Sequence, residues 1–398
     1  MKDSQPASQL KEKIDDPLNE PTEEIKKYQY IYNEYFDLEY TKGLFYCMKP
    51  ISENWFRSEF IGFERYPERN NPDRPLIFAC NHSGMAFPWD AIVLGYEINK
   101  HFNFNSNSIR ALASPMLSMS ALMNPFTLDK LWKRVGGIDA TFNNFEAMMY
   151  YNDHNLLMYP EGVPGIGKGF NKKYQLQEFK TSIVRMSIKY KTDIVGISTV
   201  NGEYVNPYAY SSRFVNRLVN KMGIPFLPLG FITPFILLQP WIFYFGFPAK
   251  LKFVLGRRYK PYEMIDKPYD EISQIEFKSL AVKIRDFMQE DLNKAVEVHG
   301  KHPFSWKTFF KAIFKNFRKL PQFLPTSWSI LFIDYHSEYI DKGNLSYKQK
   351  SGFLRNFWLM IKNPITFAYF IPIIGWIPIA IKGYRKNSIQ NKKPIFGR

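Results

Sequence analysis

The chain has 398 residues, which is long for one compact domain. Its formal net charge of +16 indicates an anionic partner. Its hydrophobic content of 45% excludes a wholly disordered protein, because so many apolar side chains can offset the entropy lost on folding. The two cysteines, Cys47 and Cys80, exclude a disulfide framework and a four-cysteine zinc site, and they favour a reducing compartment.

The positive charge is concentrated in the last quarter of the chain. Residues 303–398 contain 16 Lys and Arg against 3 Asp and Glu, whereas residues 1–60 contain 8 against 12. Many aromatic side chains are interspersed with the basic ones after residue 303. Such a segment binds either nucleic acid or an anionic membrane surface. Nearby apolar stretches favour the membrane, so we expect an anionic membrane surface as a partner and expect no nucleic acid.

The N-terminal region differs in composition from the rest. Residues 1–25 are polar and acidic, and we expect them to be mobile. Charged and aromatic residues alternate from Glu23 to Met48, which predicts an amphipathic helix. We therefore assign residues 1–55 to an acidic, aromatic N-terminal segment that is partly mobile.

Short apolar runs alternate with helix-like segments in the centre of the chain. The runs that predict buried strands are Pro75–Cys80, Asn155–Pro160 and Thr192–Val200, and the helix-like segments are 91–98, 142–151 and 177–191. This alternation predicts an α/β fold with a mostly parallel central sheet flanked by helices over residues 56–300. Residues 301–398 are predicted to form an appended helical, basic and aromatic tail that associates with a membrane.

Two long stretches without charge follow the predicted sheet. Residues 222–249 and 363–381 are each long enough to span a bilayer, but both contain several prolines, which kink helices. We expect the first to be a loop that caps the domain at the membrane surface, and the second to be a re-entrant or interfacial anchor. A crossing buried inside the protein core is the alternative for the first stretch.

The loop after the first predicted strand contains the most informative residues, Cys80-Asn81-His82-Ser83-Gly84, followed by Asp90. Ligands of open α/β sheets bind beyond the carboxyl ends of strands. His82 can accept a proton near neutral pH, and a carboxylate such as Asp90 can orient its ring. The alternative is a structural histidine, with Asp90 capping the helix that follows.

A second loop, Tyr159 to Gly169, follows the predicted strand at 155–160. Its glycines can expose backbone N–H groups to an anion, and Lys168 adds positive charge. The spacing from Gly162 to Lys168 is close to that of a nucleotide phosphate-binding loop. Gly169 replaces the required Ser or Thr, however, and prolines interrupt the segment, so a nucleotide-hydrolysing enzyme is disfavoured.

Together, Asn81-His82…Asp90 and Tyr159-Pro160-Glu161-Gly162 resemble the paired motifs of the glycerolipid and lysophospholipid acyltransferase family, in order and in spacing. The resemblance extends over residues 70–265. It includes Gly136-Gly137-Ile138 at the place of the family's intermediate motif, and an apolar run into a final strand that ends at Tyr259.

The resemblance implies transfer of a fatty acyl group from acyl-CoA or acyl-carrier protein to a lipid hydroxyl. His82 would be the general base and Asp90 its orienting acid. The residues implied in substrate binding are Asn81, Ser83, Gly84, Glu161, Gly162 and Lys168. No metal, no other cofactor and no nucleophilic serine is expected. The acceptors implied are a lysophospholipid, 1-acylglycerol-3-phosphate or a neutral glycerolipid.

The sequence departs from the family pattern in its motifs. Seven residues separate His82 from Asp90, where the family has four, and Pro164 replaces an arginine expected to contact an acceptor phosphate. Asp139 stands near the place of a second arginine. Basic residues elsewhere could compensate, namely Lys168, Lys172, Lys173, Lys133 and Arg134. A membrane-associated O-acyltransferase at the cytoplasmic face is the expected function; the alternative is a non-catalytic membrane-binding scaffold on the same fold.

Overall fold

The computed structural model describes residues 20–115, 117, 130–220, 226–324, 327–350 and 352–382. The strands among these residues are β1 (Glu59–Ile61), β2 (Ile77–Cys80), β3 (Ile109–Ala113), β4 (Gly137–Asp139), β5 (Asn155–Met158), β6 (Ile194–Val200) and β7 (Lys252–Tyr259). These seven described strands form one sheet in the order β1-β7-β6-β2-β5-β3-β4. Only β6 and β7 pair antiparallel; the other neighbouring strands run parallel. The predicted α/β fold with a mostly parallel sheet is confirmed.

Helices surround this sheet along the whole described chain. They are α1 (Glu23–Lys26), α2 (Leu38–Pro50), α3 (Trp89–His101), α4 (Leu131–Arg134), α5 (Phe142–Met148), α6 (Val163–Ile166), α7 (Ser182–Tyr190), α8 (Arg213–Asn220), α9 (Thr233–Leu238), α10 (Gln274–His299), α11 (Trp306–Lys315), α12 (Leu320–Phe323), α13 (Trp328–His336), α14 (Phe353–Lys362), α15 (Pro364–Tyr369) and α16 (Trp376–Lys382). The three predicted central helices correspond to α3, α5 and α7.

The central strands are apolar because both faces of the sheet are covered. Every residue of β2, β5 and β6 is buried, as expected for parallel strands between helical layers. Side chains alternate between the faces: Ile77 and Ala79 pack with α5, α7 and α10, whereas Phe78 and Cys80 pack with α2 and α3.

Helices from both ends of the chain share the core on one face. Phe309 of α11 and Trp328 of α13 belong to the same hydrophobic cluster as α2 and α3. The Trp328 ring lies 3.9 Å from the Trp89 ring at the start of α3. Gly43 of α2 permits a close approach, since a β-carbon there would lie 1.9 Å from the hydroxyl oxygen of Tyr335. Side chains on either side of the predicted boundaries at residues 55 and 300 thus pack together.

The prediction of a single amphipathic helix from Glu23 to Met48 is wrong. The chain instead forms α1, a 3₁₀ turn at Gln29–Tyr32, and α2. The Asp37 side chain accepts a hydrogen bond from the backbone N–H of Tyr40 (2.9 Å) and caps a separate helix. The expected mobility of residues 1–25 falls largely on residues 1–19, outside the described part of the chain.

The two uncharged stretches contain only short helices where they are described, in accord with their prolines. Stretch 222–249 contains α9 and a 3₁₀ turn at Pro240–Tyr244, and stretch 363–381 contains α15 and most of α16. No helix within the described residues has the length and apolar composition needed to cross a bilayer.

Candidate active site

The candidate site lies at the carboxyl ends of three adjacent strands. In the sheet, β2 is flanked by β5 and β6, and all three run parallel. The loops that follow them begin at Asn81, Tyr159 and Asn201. Because parallel strands end at the same edge of a sheet, these loops meet there. The two sequence motifs therefore face each other.

The structure brings His82 and Asp90 together despite the long spacing between them. The His82 Nδ1 atom lies 3.8 Å from Asp90 Oδ2, and the Asp90 carboxylate is fully buried in the first turn of α3. The Asp90 side chain does not cap α3, whose N-cap residue is Pro88 and which has no side-chain cap. It accepts a hydrogen bond from the backbone N–H of Ser83 at 3.1 Å. The helix dipole also favours a negative charge at this position.

Tyr159 covers one face of the His82 ring. The two rings are nearly parallel, at 16°, with centroids 4.0 Å apart. Burial raises the pKa of the Tyr159 phenol well above its usual value. Burial likewise raises the pKa of the neighbouring Cys80 thiol to about 12. Both groups are therefore neutral near pH 7, so Cys80 is a poor nucleophile. The His82 side chain keeps 12% of its surface exposed.

Glu161 joins the two motif loops through hydrogen bonds. Its Oε1 atom accepts a hydrogen bond from the backbone N–H of His82 (3.1 Å), and its Oε2 atom accepts one from the backbone N–H of Gln177 (2.7 Å). The side chain is completely buried. These contacts fix the backbone of His82, the position of which depends on the second motif loop.

The predicted role of Lys168 as an anion ligand is not supported by its position. The Lys168 side chain is fully buried, and its ammonium lies 3.8 Å from Glu161 Oε2 and 3.4 Å from Glu203 Oε1. Burial raises the pKa of Glu203, while the positive charge of Lys168 opposes that shift. An ammonium placed between two carboxylates is already compensated. Lys168 therefore holds Glu161 in place.

Asn81, which is predicted to take part in substrate binding, is hydrogen-bonded to the neighbouring strand. Its side-chain amide donates to the carbonyl of Thr199 (3.0 Å) and accepts from the Thr199 N–H (2.7 Å), which ties the loop to β6.

Ser83 and Gly84 continue the same tight loop. The Ser83 hydroxyl is buried and has no hydrogen-bond partner among the described residues. Gly84 has a φ of +75°, and a β-carbon there would lie 2.8 Å from the carbonyl oxygen of Lys168. The two loops are thus in direct contact at this glycine.

An apolar cavity of about 120 Å³ opens beside His82. Its lining includes His82, Ala91, Tyr159, Gly162, Ile166 and Phe226. Gly162 is the one predicted substrate-binding residue in this lining. None of the described residues that line the cavity carries a positive charge. An alkyl chain or a neutral lipid group fits such a surface.

Sequence reasoning missed several residues of the site. Glu203 follows β6 and contacts Lys168, and Phe226 and Ala91 line the cavity. Glu203 could have been found as a carboxylate just beyond a strand end, whereas the cavity walls depend on tertiary packing. Lys133, another candidate phosphate ligand, is buried, and its ammonium nitrogen lies 3.1 Å from the Asp139 carboxylate. Across the described residues, no group of three or more His, Cys, Asp or Glu side chains is arranged to hold a metal ion.

Comparison with known proteins identifies relatives but no activity. An uncharacterized protein of Mycobacterium bovis and one of Mycobacterium tuberculosis are each 24% identical over 205 residues, 51% of this chain and 52% of theirs. An uncharacterized protein of Mycobacterium leprae is 24% identical over 183 residues, 46% of each chain. The chain thus spans about half the length of the curated relatives it matches. No family model and no solved structure matches it.

Proposed function

We propose that the protein is a membrane-associated lipid O-acyltransferase in which His82 is the general base. The observation that carries the proposal is the position of the His82 ring. One ring nitrogen faces the buried Asp90 carboxylate at 3.8 Å, and the ring borders an apolar cavity. A base with an orienting carboxylate beside a lipid-compatible surface fits proton abstraction from a lipid alcohol. The separation exceeds a hydrogen bond, as is common before substrate binds.

The reaction balances without further groups. Nε2 of His82 takes the proton of the acceptor hydroxyl while the hydroxyl oxygen attacks the carbonyl carbon of the acyl thioester. The carbon–oxygen ester bond forms, the carbon–sulfur bond breaks, and the departing thiolate receives the proton from His82. Asp90 stabilises the imidazolium that exists between these steps. The products are an acylated lipid and free CoA or carrier-protein thiol.

The cavity favours an acceptor without a phosphate. Its described lining residues bear no positive charge, and Lys168 is engaged by Glu161 and Glu203. Placing a phosphate dianion among apolar side chains would cost its hydration without a compensating cation. A neutral acceptor such as diacylglycerol, or another lipid alcohol, avoids this cost.

Exposed apolar side chains support association with a membrane. Phe231, Phe235, Leu237 and Leu238, which we call the α9 patch, have 44–58% of their surface exposed. Residues 373–377 adjoin this patch, since the Ile373 N–H donates to the Leu238 carbonyl at 2.8 Å. Apolar surface of this kind lowers its free energy by entering the lipid interface. The α9 patch begins five residues after Phe226 of the cavity wall in the chain.

Purified protein, incubated with radiolabelled acyl-CoA and a panel of lipid acceptors, tests the proposal. The wild type is expected to acylate a neutral glycerolipid faster than 1-acylglycerol-3-phosphate. His82→Ala should lower the rate by about 10²–10⁴-fold, the usual contribution of a general base. His101→Ala, at an exposed histidine, is the matched control. Full activity of His82→Ala would rule out the mechanism, and vesicle binding without turnover on any acceptor would favour the scaffold.

A further inference from the structure

A second cavity, of about 380 Å³, lies between the N-terminal and C-terminal helices. One wall is formed by the end of α2 and the turn after it, residues 46–54, and the other by residues 315–322 at the end of α11 and beyond. It shares no lining residue with the cavity at His82. We call it the lysine cavity, after Lys49, Lys315 and Lys319 in its walls.

The lysine cavity has an excess of positive charge among the described residues that line it. None of its three lysines forms an ion pair with any described residue. Glu53 is the one carboxylate in the described lining, and it lies 3.6 Å from Lys100, which is outside the cavity. Three lysines against one carboxylate in the lining of a single cavity attract an anion of more than one charge.

The two walls are fixed relative to each other. The Asn316 side-chain amide donates to the Asn54 side-chain oxygen at 2.7 Å, and it also donates to the Ala312 carbonyl at 3.1 Å. The Asn54 amide in turn donates to the Pro50 carbonyl at 3.0 Å. These bonds join the end of α2 and the turn after it to the end of α11, the two segments that carry Lys49 and Lys315. The three lysines are exposed to solvent, and they line a cavity whose two walls are joined by hydrogen bonds.

One exposed aromatic ring lines this cavity, and two more adjoin its lysines in the chain. Tyr46 lines it with 61% of its surface exposed, and Phe314 and Phe317 next to the lysines are 76% and 59% exposed. Exposed aromatic rings do not contribute to the binding of a soluble anion, whereas aromatic side chains beside lysines are typical of proteins at the lipid headgroup region. The surroundings therefore point to a lipid as the source of the anion.

We propose that the lysine cavity binds the phosphate-monoester headgroup of an anionic lipid. A phosphate monoester carries about −1.5 to −2 charges near pH 7, which suits three lysines better than the single charge of a phosphodiester. Lysine ammonium groups are established phosphate ligands. This site recognises membrane lipid independently of the acyl-transfer chemistry at His82.

Co-sedimentation of the full chain with vesicles tests the site. The vesicles contain phosphatidylcholine with either phosphatidic acid or phosphatidylglycerol, the amounts chosen to give equal surface potential. The wild type is expected to bind the phosphatidic acid vesicles at least about tenfold more tightly. The variant K49A/K315A/K319A should lose this preference. The control K283A/K294A/K301A, which removes equal charge from exposed lysines elsewhere, should retain it.

Each outcome decides the proposal. A preference that survives in K49A/K315A/K319A, or that both triple variants lose equally, overturns it. Should K49A/K315A/K319A fold poorly, Lys319→Glu at a turn position replaces it, with the same loss of preference expected. A further arm measures glycerol 3-phosphate by calorimetry: binding as tight as that of the lipid headgroup would assign the site to a soluble phosphate and overturn the lipid assignment.

Discussion

The carboxylate of Glu161 accepts a hydrogen bond from the backbone N–H of His82 at 3.1 Å, which joins the two motif loops of the candidate site. Asp90, by contrast, faces the His82 ring. One carboxylate thus holds the backbone of His82, and the other faces its ring. Both carboxylates are fully buried, so water does not compete for these contacts.

Replacing Asp90 with Asn tests the orienting role. The amide can still accept a hydrogen bond from the Ser83 N–H, so the loop should keep its shape. It cannot stabilise a positive imidazolium, however, and it can favour the wrong ring tautomer. We expect kcat to fall by about 10²–10⁴-fold with little change in KM. The measurement is a steady-state acyl-transfer assay; an unchanged kcat would show that Asp90 has no part in catalysis.

The contact between the loops at Gly84 predicts a stability effect. Gly84 and Gly343 both have positive φ, +75° and +66°, but only Gly84 has neighbours within 4 Å of an added β-carbon. Gly343→Ala should therefore cost only the backbone strain, about 1–2 kcal/mol. Gly84→Ala should cost a further 1–3 kcal/mol, roughly the price of overpacking. Urea denaturation of both variants measures the difference; equal losses would contradict the close contact.

The cavity predicts that a larger side chain at Ala91 will block the substrate. Ala91 lines the cavity, whereas Gly95, one turn later on α3, faces open space. Ala91→Phe is expected to lower kcat/KM for long-chain substrates by about tenfold or more, because the ring occupies the space of several methylene groups. Gly95→Phe is the matched control and should keep wild-type kinetics. Equal activity of the two variants would place the acyl chain elsewhere.

The α9 patch predicts vesicle binding that does not depend on the headgroup. Phe235→Asp with Leu238→Asp should weaken binding to phosphatidylcholine vesicles by at least about tenfold, since the charges oppose entry into the lipid interface. Ile275 and Val298 on α10 are also exposed, at 81% and 68%, but they lie on a different helix. The same substitutions there should have no effect. Flotation assays compare the two double variants, and equal losses would exclude a specific docking patch.

The strands that could be predicted are those that are wholly buried and mostly apolar. β2, β5 and β6 contain no charged residue and are rich in apolar ones, so their position and type followed from composition alone. β3 was missed because Arg110 lies within it. This arginine is buried: it donates to the carbonyls of Tyr32 and Ile31 and lies over the Phe36 ring, at 4.4 Å from its centroid. Partners supplied by the N-terminal segment make a charged residue acceptable in a central strand, and no local pattern reveals them.

The candidate site, like the sheet, could be predicted only in part from the sequence. The proximity of His82 to Asp90 could be predicted from the strand-end rule and from the resemblance, because the two residues are close in sequence. The burial of Lys168 did not, since its partner Glu203 is a long-range neighbour contributed by the loop after β6. Whether a lysine binds substrate or neutralises a carboxylate is decided by packing. The same limit applies to Glu161, whose two acceptor oxygens are used by backbone N–H groups.

His154 gives a pH prediction that is independent of function. Burial lowers the pKa of His154 to about 4 from 6.5, and the positive charge of Arg110 adds to this, while Asp153 opposes it. The ring is enclosed by Phe36 and Tyr151. Between these two pH values the unfolded chain binds a proton that the folded protein does not. The free energy of unfolding should therefore fall as the pH is lowered from about 6.5 to about 4, by roughly 3 kcal/mol from this group.

Replacement of His154 by Phe isolates this contribution. The phenyl ring keeps the aromatic contacts but cannot be protonated, so the variant should lose less stability than the wild type between pH 7 and pH 4. His101→Phe, at an exposed histidine, is the control and should follow the wild type. Urea denaturation curves at several pH values give the comparison. Parallel pH profiles for the wild type and His154→Phe would mean that His154 accepts a proton in the folded protein as readily as in the unfolded chain.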